Sequence, residues 1–159
     1  MAVLVLFAAV AFSAACGPSA AEIKTAQTAK YKATAADLYG IAEQVTAETY
    51  KIGETKPPTA LATVPQWYSP EGGRQSSGAG GYAQIEDRSV NLVLVVEVLE
   101  LDDGSFAIKV TPKTLQHVSG SPQPRELMAD DPNLPPWIHG RVESLQLAIY
   151  QRAQQFAVK

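Results

Sequence analysis

An α+β fold is predicted: an N-terminal helix, an antiparallel sheet of three to five strands, and a C-terminal helix packed on the sheet. Three observations predict it. Apolar residues recur at helical spacing near both ends of the chain, at Tyr31, Ala35, Leu38, Ala42 and Val45 and again at Ile138, Val142, Leu145, Ile149, Ala153 and Phe156. Between them, Val90 to Leu101 and Phe106 to Val110 flank Asp102-Asp103-Gly104-Ser105, the pattern of a β-hairpin. Proline- and glycine-rich segments between these elements, 69–81 and 119–136, read as connections.

The chain has 159 residues, and one compact unit is the default at that length. Its 13 basic and 16 acidic side chains are scattered, giving a net charge of −3. Binding to nucleic acid needs a basic patch or stripe to neutralise phosphates, and none is present, so no nucleic-acid partner is expected. One cysteine rules out an intramolecular disulfide framework and any zinc site built on several thiolates.

Residues 1–15, MAVLVLFAAVAFSAA, contain one polar side chain, Ser13, and no charge. As a helix this run would be roughly 22 Å long, short of the roughly 30 Å needed to cross a hydrocarbon core. It has the length of a secretory h-region, and Ala14-Ala15 supply the small residues before a cleavage point. Residues 1–15 are therefore expected to be a signal peptide.

The next residue is the single cysteine. Ser13-Ala14-Ala15-Cys16, followed by Gly17-Pro18-Ser19, resembles the lipobox of bacterial lipoproteins. The resemblance covers the leader and implies that Cys16 begins the mature chain. Its sulfur would carry diacylglyceryl and its α-amine a further acyl chain such as palmitate. Several acyl chains on one residue make a stable anchor, because a single chain binds only marginally. Gly17 after the cysteine implies sorting to the outer membrane, with the protein facing the periplasm. The partners implied are the membrane, held through Cys16, and an envelope protein.

The elements then follow in order. Ser19-Ala20-Ala21-Glu22 fits the S-x-x-E capping box, so a helix should begin near residue 20. Its first part has little apolar bulk, so residues 16–30 are expected to be the lipidated N-terminus and a solvated stem, with a single α+β domain over 31–159. Thr46 and Thr49 weaken the helix, which should end by about residue 48. Tyr50 to Glu54 reads as a short strand stopped by Pro57-Pro58, and Leu61 to Tyr68 as another in which Pro65 imposes an edge or a bulge. Ser69-Pro70-Glu71-Gly72 has the residues of a turn, and 72–81 those of a flexible Gly/Ser loop. In the hairpin, Leu92 to Val96 is apolar on both faces and is expected to be central and covered on both sides. Pro112 interrupts the alternation of the second strand and suggests an edge or a bulge before Leu115 to Val118. Residues 119–136, with five prolines, should be irregular. Asn133 or Asp131 is expected to cap the last helix, with Pro135-Pro136 in its first turn.

Signals for chemistry are sparse. His117 and His139 lie on different elements without metal-ligand spacing, and no G-x-S-x-G elbow is present. Gly78-Ala79-Gly80-Gly81-Tyr82-Ala83 matches a dinucleotide fingerprint, but a strand rather than a helix follows it, so it reads as a loop. Asp130-Asp131 lacks the glycine and terminal glutamate of a calcium loop. No catalytic residue, metal ligand or cofactor is assigned. Trp67, Tyr68 and Trp137 remain as binding candidates, since aromatic side chains concentrate at interfaces, with plugging the ends of a small core as the alternative. The expected function is that of a lipid-anchored cell-envelope protein with a non-catalytic protein-binding or accessory role. The other reading is a lipoprotein that holds a small amphiphile or glycan in a sheet–helix groove, as carrier or weak hydrolase.

Overall fold

The computed structural model describes residues 18–75 and 85–158. The leader, Cys16 and residues 76–81 of the expected Gly/Ser loop lie outside the described residues, as does the fingerprint-like run 78–83. The architecture is α+β, with the C-terminal helix packed on an antiparallel sheet.

The first helix, α1 (Ala20–Thr28), starts at the capping box. The Glu22 backbone N–H donates to Ser19 Oγ at 3.3 Å, and the Ser19 N–H donates to Glu22 Oε2 at 2.8 Å. Most of α1 is exposed, yet Ala26 is buried and its carbonyl accepts from Gln146 Nε2. Residues 20–28 are thus docked on the domain rather than forming a detached stem.

The helix expected to run from about residue 20 to about 48 is two helices. Thr34 Oγ1 accepts from the Asp37 N–H at 3.1 Å and caps α2 (Ala35–Thr49), whose Leu38, Ala42 and Val45 are buried as their spacing predicts. Tyr31 belongs to the core but not to that helix. Its backbone exchanges hydrogen bonds with Phe106, Tyr31 N–H to Phe106 O at 2.8 Å and Phe106 N–H to Tyr31 O at 2.9 Å. On its other side the Lys32 N–H donates to Phe156 O and the Val158 N–H to Lys30 O. Helical spacing identified the residue as apolar and inward but could not see that two distant segments hold it extended.

Six strands follow: β1 (Ile52–Lys56), β2 (Ala60–Thr63), β3 (Gln66–Tyr68), β4 (Val90–Glu100), β5 (Phe106–Gln116) and β6 (Arg125–Leu127). The sheet order is β1-β2-β4-β5-β6, with β3 also on β4. The expected three to five become six for two reasons. Val64-Pro65 cuts one expected strand into β2 and β3, which lie end to end along β4, Ala60 to Ala62 opposite Glu97 to Val95 and Gln66 to Tyr68 opposite Leu92 to Val90. The proline-rich connection also contributes β6, paired with the end of β5. The hairpin turn is as predicted, with Gly104 at φ +73° and the Leu101 N–H donating to Ser105 O.

β4 is central, and Val90, Leu92, Leu94, Val96 and Val98 are buried beneath the helices. The expectation that it is covered on both faces is corrected. Asn91, Val93, Val95 and Glu97 are only partly buried and Leu99 is exposed, because among the described residues all three helices pack on one face.

Of the edge or bulge expected at Pro112, the structure has the edge: Pro112 pairs with Leu94 in continuous register, and among the described residues no strand pairs with its outer side. Phe106 and Val110 direct their N–H groups away from β4, to Tyr31 O and Gln146 Oε1. Successive strand residues alternate in direction, so Pro112 shares that orientation and its missing donor falls on the outer side, where β4 loses nothing.

The last helix, α3 (Pro136–Ala153), buries Ile138, Leu145, Ile149 and Ala153 and ends in a 3-10 turn, Gln154–Phe156. Its N-cap is Pro135, with no side-chain cap. Asp131 closes its own turn instead, accepting from the Asn133 N–H at 2.8 Å and pairing with Arg125 Nη2 at 2.7 Å.

Candidate functional site

Trp67 and Tyr68 are consecutive on β3, and consecutive strand side chains point to opposite faces. Tyr68 sits opposite Val90 and is buried on the helix side, whereas Trp67 sits opposite Asn91 on the uncovered side. The three aromatics therefore do not frame one groove.

Tyr68 and Trp137 do meet, with ring centroids 5.2 Å apart and planes tilted by 48°. Trp137 Nε1 donates to Pro70 O at 2.8 Å. The Arg141 guanidinium lies 4.4 Å from the Tyr68 ring centroid and 5.3 Å from that of Trp137, and its Nη2 donates to Gly72 O at 3.1 Å. Gly72 has φ +90°, and a Cβ there would come within 2.9 Å of Trp137 Cγ. The indole and guanidinium donors are turned inward, so the cluster clamps the turn at 69–73 onto the start of α3. Sequence reasoning missed Arg141; its position four residues after Trp137, on the same helix face, was the available signal.

Trp67 belongs to a different surface. Pairing places Trp67, Asn91 and Leu115 in one row of the open face, Val93 beside Lys113, and Ala62, Val95 and Thr111 in a third row. Glu97 with Lys109, and Leu99 with Ala107, complete it toward the hairpin. Leu99 and Leu115 are 40% and 43% exposed. The result is an apolar centre with interspersed charges.

The sheet edges differ from this face. The outer side of β5 is filled along its length by Tyr31 at Phe106, by Gln146 at Ile108 and Val110, and by β6 from Thr114. At the opposite edge, β1 pairs with β2 and with no second strand among the described residues. It is short, carries Glu54 and Lys56, and has a register shift between Ile52 and Glu54. Charges and bulges on an edge oppose the addition of another strand.

Among the described residues, no group of three or more His, Cys, Asp or Glu is placed to hold a metal ion. The His117 backbone is paired with Arg88 and Ser89, and His139 is exposed on α3. Asp103 is a turn residue. Hydrogen bonds from Lys30 Nζ, at 2.7 Å, and from Ser105 hold its carboxyl well below the usual carboxylate range. Among the described residues, no helix is long and apolar enough to cross a membrane. No protein-family profile and no curated protein matches this sequence.

Proposed function

We propose that this is a lipid-anchored cell-envelope protein, tethered through Cys16, that binds a protein partner on the open face of its sheet and has no catalytic role of its own. The lipobox-like leader supports the tether. The observation that carries the binding role is the one-sided sheet: among the described residues no helix packs on the face that presents Trp67, Val93 and Val95, partly buried, and Leu99 and Leu115, exposed. A face of this kind, apolar at its centre and mixed with charge, has the anatomy of a protein interface. Face docking is preferred to strand addition because the β1 edge is bulged and charged. The partner is expected to present an apolar patch of its own, with carboxylates able to meet Lys109 and Lys113.

Two measurements test the two halves. Labelled palmitate should enter the chain and globomycin should block its maturation; an unacylated, fully processed chain would overturn the tether. For the interface, a photo-crosslinker replacing Leu115 should capture one defined envelope protein, while one replacing His139 should not. Trp67→Ala should weaken that association roughly tenfold or more, as removal of an aromatic anchor does. Equal capture from both positions, or affinity unchanged by Trp67→Ala, would remove the face from consideration.

A further inference from the structure

On the helix side of the sheet, a cleft of about 250 Å³ runs inward between the end of α2 and the β2–β3 junction. Leu92, Leu94 and Thr63 lie at its inner end but are themselves buried, at 2%, 1% and 5% exposure, so the accessible apolar surface is that of Val64, 36% exposed, and of the half-buried Tyr50. Lys51 and Arg74 stand at its rim, both exposed. Among the described residues neither cation has an ion-pair partner, and no carboxylate lines the cleft.

The polar groups deeper in are partly committed. Thr63 Oγ1 accepts from the Leu94 N–H at 2.9 Å, and Gln66 Nε2 donates to Trp67 O and Gln75 O. The Gln66 side-chain oxygen accepts from no group among the described residues and can take a donor.

We propose that this cleft is a binding site for a small amphiphilic organic anion, with an aromatic or short aliphatic body against Tyr50 and Val64 and a carboxylate between Lys51 and Arg74. The apolar walls at Tyr50 and Val64 favour burying a hydrocarbon body, and the two cations select its charge, since an anion held by Arg and Lys gains charge-assisted hydrogen bonds that a neutral isostere lacks. The volume is below that of a drug-sized pocket, which limits the ligand to a fragment. The site is independent of the proposed protein interface, because its inner end lies on the opposite face of the sheet from Trp67 and Leu115.

The test uses 3-phenylpropionate as probe and 3-phenylpropanamide as its neutral counterpart, with binding to the full chain followed by NMR. The carboxylate should bind saturably and at least tenfold more tightly than the amide, with the largest shifts at Lys51, Val64 and Arg74. Lys51→Ala with Arg74→Ala should abolish that preference while amide spectra report an unchanged fold. Lys113→Ala, on the other face, should leave it intact. Equal affinity for acid and amide, retention of the preference in the double variant, or no saturation by about 10 mM probe would each overturn the proposal.

Discussion

Tyr31 is fully buried, and its hydroxyl has no hydrogen-bond partner among the described residues. Burial, with Tyr150 adding to it, pushes the phenol up to about 12. The neutral form is therefore favoured by folding. That contribution is complete below about pH 10, where an unfolded tyrosine begins to ionise, and is lost as pH rises through about 12. Thermal unfolding should fall in temperature across this alkaline window, and phenolate absorbance should show one tyrosine titrating last. Tyr31→Phe should remove that late step and leave the protein as stable or up to about 1 kcal/mol more so, because a buried hydroxyl without a partner costs desolvation. Marked destabilisation by Tyr31→Phe in urea unfolding would show that the hydroxyl is bonded after all. The helical period gave the inward direction of this residue. It could not give the bridges to Phe106 and Ala157, which join residues far apart in the chain.

Within elements, β5 shows how one side chain can stand in for a strand. Gln146 on α3 is 4% exposed; its Oε1 accepts from the Val110 N–H at 3.0 Å, and its Nε2 donates to Ile108 O at 2.9 Å and to Ala26 O at 3.2 Å. Its amide thus makes the two bonds a neighbouring peptide group would make, and ties α1 to the same point. Gln146→Leu would leave a buried donor and two buried carbonyls unmet, each costing about 1–3 kcal/mol before relaxation; a net loss of about 2–4 kcal/mol in urea unfolding is expected. Gln146→Glu should cost at least as much, since its carboxylate faces two carbonyl oxygens. A loss below about 0.5 kcal/mol for both would show that the edge is satisfied otherwise. In the sequence, Gln146 is one polar residue beside the apolar stripe of a helix, and nothing local marks it. The capping box at Ser19 and the turn at Gly104 were legible because each depends on neighbours within a few residues.

Across the whole molecule, the sheet separates a face needed for folding from one that is not. Leu94 is 1% exposed beneath the helices, and Leu115 is 43% exposed on the open side. Leu94→Ala should cost about 2–5 kcal/mol through lost burial and a residual cavity. Leu115→Glu should change stability by no more than about 0.5 kcal/mol while disturbing partner binding. A large loss from Leu115→Glu in chemical denaturation would mean that this face is covered within the monomer. The candidate site was only half visible beforehand. Aromatic composition drew attention to Trp67, Tyr68 and Trp137, but the alternation of strand side chains sent Trp67 to one face and Tyr68 to the other. Arg141, four residues after Trp137, had a local signal, whereas Gly72 entered through contact with Trp137 from far along the chain, a relation carried by no local pattern.

The amino-acid order alone determined the α+β class, the hairpin, the capped start of α1 and the apolar stripe of α3, because backbone preference, capping and turn geometry act over a few neighbouring residues. It did not determine which side of β4 the helices would cover: Leu92 to Val96 is apolar on both sides and would suit either. Packing made that choice, along with the split at Tyr31, the closure of β5 by Gln146 and the convergence of Lys51 and Arg74 on one cleft. Each of these is a long-range contact whose free energy exists only once the layers have come together.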